Sequence, residues 1–280
     1  MTCYSGIDLH STNSVVVVSD EADRVLYERR LPNDLPKILA ALEPYRVELA
    51  GVVVESTYNW YWLIDGLQAA GYAVHLANPA AMKRYEGIKH SGDETDAAYL
   101  AHLLRLKILP TGYICPPAER AVRDLARKRS QLVRIRTAQV LAVENVFARE
   151  RGARLSSNVV KRLEVAGLGE FGLGADVTCS LAANVAVIQA LTAEIGKLEA
   201  RLRERVRPLP QYRLLKTAPG IGEVLTTTIM LETGPIERFA AVGNFASYAR
   251  CVDSQHLSNG KKKGAGNVKN GNKYLAWAFI

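Results

Sequence analysis

The sequence predicts an α/β domain joined to a largely α-helical remainder. Three observations carry that expectation. Residues 5–77 alternate short β-branched runs with stretches of helical apolar spacing. Residues 117–206 hold two long segments whose apolar residues recur three and four apart. The charge divides the same way: residues 1–110 carry 10 Lys and Arg against 14 Asp and Glu, and the rest carry 26 against 14. An acidic front and a basic back suit a cation-binding domain beside a polyanion-binding surface. A plain solvated basic helix face would give the same balance.

The elements follow in order. Ser5–Leu9, Val15–Ser19 and Arg24–Arg30 read as strands, with Asp20–Asp23 as the turn between the last two. Leu35, Ile38, Leu39 and Leu42 mark a helix, and Val47–Glu55 reads as a buried strand. Trp60, Leu63, Ile64 and Leu67 mark a second helix, which Gly71 stops. Tyr72–Ala77 is a further strand closed by Asn78-Pro79, and Asp93–Leu106 is helical. Strand, strand, strand, helix, strand, helix, strand, helix is the order of the RNase H-like fold. In that fold the first and fourth strands lie side by side.

Residues 117–150 form a basic helix with Arg120, Arg123, Arg127, Lys128, Arg129, Arg134 and Arg136. Its apolar positions (Leu125, Leu132, Ile135, Val140, Val143, Val146) suit a helix pair or coiled coil. Leu181–Val206 supplies the partner, with Val187, Leu191, Ile195, Leu198 and Leu202 as its stripe. The expected division is 1–110 as the α/β domain, 111–207 as a helical arm and 208–280 as a small C-terminal domain.

A length of 280 residues allows more than one core. An apolar share of 48% with 23% charged is ordinary for a globular protein, and no apolar run stands out as membrane-spanning. No signal-peptide pattern opens the chain. Cys3, Cys115, Cys179 and Cys251 are scattered without a CxxC pair, so reduced thiols and a cytoplasmic location are expected.

Four carboxylates carry the candidate chemistry. Asp8 and Glu55 each sit at the end of an apolar strand, and Asp93 and Asp96 lie three apart on one helix face. A charge at a buried strand end is costly unless it is paired or binds a metal. Four acids in this order suggest a Mg²⁺ pocket able to clamp a phosphodiester. The structural alternative is that Glu55 pairs with an arginine and Asp93 caps its helix. His10, His75, His90, His102 and His256 show no ligand spacing. Tyr58, Trp60, Tyr61 and Trp62 read as core more than as a base-stacking platform.

Further on, Pro219-Gly220-Ile221-Gly222 precedes a helix at Val224–Leu231. This reads as a helix-hairpin-helix turn, with Gly220 and Gly222 letting backbone amides approach phosphate, or as a plain tight turn. A helical stretch follows at Phe239–Ala249. The segment 253–266 then reads as a flexible basic loop, with Lys261, Lys262 and Lys263, and Lys269 just beyond it, available to a phosphate backbone. Ser258 is the candidate nucleophile in that loop, with Ser254 as the alternative. Arg127 and Lys128 are candidate nucleic-acid contacts on the arm.

These residues together resemble the DEDD transposases of the IS110 insertion-sequence family. Asp8 in GIDLH, Glu55 in VVVES and Asp93/Asp96 in SGDETDAAYLA match the family's four acids in order and spacing. PGIGEVLTTTIMLETG, IERF, NFASYA and LSNGKKKGAGNVKNGNKYL match its C-terminal domain. Asn259 stands where the family has a small glycine after the serine. The resemblance implies a RuvC-like N-terminal domain that binds Mg²⁺ through the four acids. It implies a serine nucleophile at Ser258, a covalent phosphoserine link to DNA, and dimers or tetramers joined partly through the arm. It also implies a noncoding guide RNA and no membrane partner. Relatives continue the final helix beyond the position of Ile280, so the C-terminal domain is expected to be cut short. Two other readings stay open: a resolvase-type nuclease that uses water, and a non-catalytic nucleic-acid-binding remnant.

Overall fold

The computed structural model describes residues 1–82, 92–252, 255–265 and 270–280, and the side chains of 255–257, 262 and 265 are not described. Two compact units result: residues 1–115 with 252–271, and residues 116–251 with 272–280.

The first unit is built on a five-stranded sheet. Its strands are β1 (Cys3–Leu9), β2 (Asn13–Asp20), β3 (Val25–Pro32), β4 (Leu49–Glu55) and β5 (Val74–Ala77). Their order is β3-β2-β1-β4-β5. β1, β4 and β5 run parallel, while β2 and β3 are antiparallel. This is the RNase H-like sheet, with β1 and β4 as neighbours. The alternation of side chains along each strand then sorts the residues by face. Ile7, Leu9, Val16, Val18, Val52 and Val54 pack against α1 (Leu35–Leu42) and α2 (Tyr61–Ala69) through Ile38, Leu42, Leu63, Ile64 and Leu67. Trp60 joins this core, Tyr61 and Trp62 pack against it, and Tyr58 is exposed.

The opposite face carries α3 (Asp93–Arg105). Val15, Val17 and Ala97 meet there, as do Val53, Ala77 and Leu100. Gly6 decides how close the helix comes. A Cβ at Gly6 would lie 1.9 Å from the Ala97 carbonyl oxygen and 2.9 Å from the Ala101 amide nitrogen. Only a residue without a side chain lets the helix backbone rest on β1 there.

In the second unit, α4 (Pro117–Arg151) and α6 (Ala175–Val206) form a helical hairpin, with the short α5 (Ser157–Val160) between them. Arg129 bonds Glu199, Arg136 bonds Thr192 and Asn184 bonds Gln139, a descending pairing that makes the helices antiparallel. The buried stripe differs from the expected one. Val122, Ala126, Val140, Val143 and Phe147 are buried on α4, and Leu181, Val185, Ile188, Ile195, Leu202 and Val206 on α6. Ile135 and Val187 are exposed because the stripe drifts around helices of this length. By length and composition, α6 is also apolar enough to cross a membrane, which no single run of the sequence had indicated. Its apolar face packs against α4 through Leu181, Val185 and Ile188.

Then come α7 (Pro210–Leu215), α8 (Glu223–Thr233), α9 (Val242–Tyr248) and α10 (Lys273–Phe279). α9 is shorter than expected: residues 236–238 form a separate 3-10 turn. The segment expected as a flexible basic loop contains a β-hairpin, β6 (Gln255–Ser258) and β7 (Lys261–Ala265). Asn259 and Gly260 both have positive φ, at 50° and 71°. Asn-Gly is the two-residue turn that suits strand twist, a signal that the charge of the segment had obscured.

Two predictions follow from packing. Gly6→Ala is expected to cost about 1–3 kcal/mol, because the obstructing atoms are helix backbone and cannot rotate away. Urea denaturation of the variant measures this. In the second unit, Glu232 is buried and holds Arg127 through two bonds of 2.7 Å each. Arg127→Met leaves that carboxylate uncompensated and is expected to cost about 3 kcal/mol. Lys128→Ala, one residue along on the exposed side, should change stability by less than about 0.5 kcal/mol in the same assay.

Candidate active site

The docking of α3 on β1 brings the acids together. On β1, Gly6 and Asp8 share a face, about 6.7 Å apart along the strand. On α3, Asp93 precedes Ala97 by four residues, about 6 Å along the axis. With Ala97 seated on Gly6, Asp93 therefore arrives over Asp8. Glu55 enters from the neighbouring strand, since Ile7 pairs with Val54 in parallel register and the next residue on each strand is the acid. The negative charges of Asp93 and Asp96 also sit in the first turn of α3, where the helix dipole favours them.

Asp8 is the buried member of the group, 4% exposed. Burial pushes its carboxyl above the usual aspartate range. The like charges of Asp93 and Asp96 push the same way, while His10 and a hydrogen bond with Glu55 pull against them. A hydrogen bond between two carboxyls needs a proton on one of them, because an ionised carboxylate only accepts. Asp93 is in the opposite condition. Arg30, on β3, donates to its Oδ2 at 2.6 Å and to Asn13 Oδ1 at 2.9 Å. That bond holds Asp93 below the ordinary aspartate range. Arginine pairing thus occurs in the cluster at Asp93. The helix cap is Gly92, not Asp93.

His10 is the residue that sequence reasoning missed. Its Nε2 lies 3.1 Å from Asp8 Oδ2 and 3.3 Å from Asp93 Oδ2. The three ligand atoms all lie within 4.8 Å of one another, close enough to share a cation. The available signal was the pattern Asp8-Leu9-His10, in which residues two apart leave a strand on the same side. Of the other histidines, His102 bonds Asp23 at 2.9 Å and is part of a pair with Arg105. Burial alone lowers the His75 pKa. His90 lies outside the described residues.

The remaining singled-out residues fall elsewhere. Ser258 is exposed at the end of β6, paired across the turn with Lys261. Lys261 and Lys263 are exposed. Ser254 and Lys269 lie outside the described residues, as does the Lys262 side chain. Just beyond the hairpin, Asn78 donates to Asn270 Oδ1 at 3.2 Å within the first unit. Gly220 has a φ of +82°, and Gly222 caps α8; a Cβ on either would meet no other atom nearby. Glu223, opening α8, is paired with Arg207 at 3.0 Å.

The basic helix α4 spends much of its charge internally. Arg120 and Arg123 are buried, Arg129 pairs with Glu199, and Arg127 is fixed by Glu232. Desolvation works against the Arg127 charge, and the Glu232 bonds more than restore it, so its pKa is raised. Asn272 braces Glu232 at 2.7 Å, and Arg127 also lies 4.8 Å over the Tyr274 ring. Lys128 and Arg134 remain exposed and line a groove of about 400 Å³ with Asp124, Arg127, Gln131 and Tyr274.

Comparison with known proteins places this arrangement. Residues 5–149, which include all four acids and His10, match the family profile of the DEDD transposase of IS110. Residues 212–280, which include Gly220, Gly222 and Ser258, match that of the transposase of the IS116/IS110/IS902 family. No curated protein matches the sequence. Among solved structures, the chain is similar to RuvC of T. thermophilus in complex with a Holliday junction substrate, at 14% identity and a TM-score of 0.31. That likeness covers 40% of this chain and 100% of RuvC. With a first match spanning more than half of its length and a second covering its C-terminal part, this chain belongs to the IS110 family of transposases, enzymes that act on DNA.

Proposed function

We propose that the chain is a Mg²⁺-dependent DNA recombinase that cleaves and rejoins strands through a covalent phosphoserine. The observation that carries this reading is the convergence of Asp8, Asp93 and Asp96 with Glu55 at the C-terminal ends of the neighbouring strands β1 and β4. The donor set fits a hard divalent cation: it is rich in carboxylate oxygens, and its most buried member is destabilised as an anion. Asp8, Glu55, Asp93 and Asp96 would hold Mg²⁺, which when bound neutralises charge on a scissile phosphate. Arg30 orients Asp93 by its bond to Oδ2.

Ser258 acts as the nucleophile. Its Oγ attacks phosphorus in line, the serine proton is given up to solvent or base, and the P–O bond to the departing strand breaks. The departing oxygen takes up a proton, and the other strand remains esterified to the serine. Attack by a new strand end reverses the step. Lys261, Lys262, Lys263 and Lys269 neutralise backbone phosphates around it, and Lys128 with the Gly220–Gly222 turn contributes on the second unit. Exposure of Ser258, Lys261 and Lys263 on a hairpin supports this assignment. Arg127 contributes charge to its groove while remaining tied to Glu232. In this reading residues 1–110 are the acidic domain, 111–207 an arm for self-association into dimers or tetramers, and 208–280 the serine-bearing domain. A noncoding RNA selects the DNA partners, and the protein works in the cytoplasm.

The decisive test incubates the protein and Mg²⁺ with DNA bearing element ends, followed by a denaturing gel. The wild type is expected to give DNA crosslinked to protein, and Ser258→Ala to give none. Free nicked DNA from both proteins would identify water as the nucleophile. Salt-sensitive binding without cleavage, unchanged in Asp8→Asn, would identify a non-catalytic binder.

The pH dependence of stability tests the acid cluster separately. Because the folded-state pKa of Asp8 is raised, the folded protein holds this proton to higher pH than the unfolded chain does. Stability therefore falls as pH rises from about 4, the ordinary aspartate value, through the raised value, and the penalty persists above it. At pH 7.5 Asp8→Asn is expected to raise the melting temperature of the metal-free protein by about 2–4 °C. That gain should shrink toward pH 4, where wild-type Asp8 is protonated. Mg²⁺ should stabilise the wild type more at pH 7.5 than at pH 5, and should have little effect on Asp8→Asn. Thermal denaturation across this range measures all three.

A further inference from the structure

We infer that His10 is an additional protein ligand of the acidic site, and that its imidazole gives the site a preference for Mn²⁺ over Mg²⁺. The inference rests on the four-carboxylate reading and goes beyond it, because four carboxylates alone offer only oxygen.

Three observations support it. The first is spacing. In an octahedral site with bonds of about 2.1 Å, adjacent donors lie about 3 Å apart. His10 Nε2 is 3.1 Å from Asp8 Oδ2 and 3.3 Å from Asp93 Oδ2, which are the edges of such a site. The second is the state of the nitrogen. Nε2 is itself buried and stands within reach of two carboxylate oxygens at once. A histidine placed merely to pair with a carboxylate would align its N–H with one oxygen. This one lies between two. The third is the rigidity of its backbone. Asn33 and Asn59 each donate a side-chain amide to the His10 carbonyl at 3.0 Å, from two different loops. The His10 amide donates to Asn13 at 2.9 Å. Three bonds thus hold a residue that has already left the strand, as a ligand position requires.

Arg30 does not block the position. It occupies one lone pair of Asp93 Oδ2, and a carboxylate oxygen has a second. The expected selectivity follows from ligand chemistry. Imidazole suits borderline transition ions, whereas Mg²⁺ prefers oxygen and keeps its waters.

The test compares the full-length wild type, His10→Gln and Asp8→Asn, with Mn²⁺ alone and Mg²⁺ alone as probes in calorimetric titrations. Electron spin-echo spectroscopy of the Mn²⁺-loaded protein supplies a readout independent of activity. The wild type is expected to bind Mn²⁺ more tightly and to show nitrogen coupling to the bound ion. Glutamine reaches to a similar point with an amide oxygen. His10→Gln should therefore keep Mg²⁺ affinity, lose about tenfold in Mn²⁺ affinity and lose the nitrogen signal. Binding of both ions with no nitrogen coupling, or with an unchanged Mn²⁺/Mg²⁺ ratio in His10→Gln, overturns the role of His10 and leaves the carboxylate site standing. Failure of the wild type to bind either ion, or binding that survives Asp8→Asn, overturns both.

Discussion

The missing side chain at Gly6 is the constraint on which the candidate site depends. β1 and α3 touch backbone to backbone there, with the Ala97 carbonyl where a Cβ would stand. The strand advances by residue pairs and the helix by turns of similar length. Contact at one point therefore sets the next. Asp8 and Asp93 face one another because Gly6 and Ala97 do. Ala97 and Ala101 extend the same logic down the helix, where small residues keep the axis close to the sheet. A larger residue at any of these positions would lift the whole N-terminal turn, and the acids with it.

Close approach of four acids is unfavourable by itself, and the structure shows how the first unit tolerates it. Asp93 is partly neutralised by Arg30 from the edge strand, Glu55 hydrogen bonds with Asp8, and the start of α3 supplies a positive helix end. Asp8 is left with the largest uncompensated cost, since it is the most buried. In the proposed function, that cost is the one a bound cation would relieve. Asp23, at the other end of α3, shows the contrast. Although desolvation opposes it, bonds from Arg105 and His102 hold its carboxyl below the ordinary range. That trio is an ion pair satisfied within the fold.

The second unit handles charge differently. Its basic residues looked in sequence like one continuous face of α4. In the hairpin they divide, some paired across to α6, one locked to Glu232 of α8, and two buried. What remains outward is a narrower set around Lys128 and Arg134. Net charge thus overstates the surface available to a polyanion, because pairing consumes the charge without changing the count.

Local pattern alone was enough to establish the strand and helix order of residues 1–110, the four acids at element ends, and the two long helices. Period two and period 3.6 are written in consecutive residues. The turn at Asn259-Gly260 was equally local, and a reading that weighed charge above turn chemistry passed over it. Other features exist only once the chain is folded. His10 becomes part of the site because α3, more than eighty residues later in the chain, delivers Asp93 beside it. Arg127 becomes structural because Glu232 lies more than a hundred residues away in sequence and in contact in space. Sequence spacing reports which side chains share a face of one element. Which faces meet is decided by packing between elements, and that is where the membership of the acidic cluster and the pairing of Arg127 were determined.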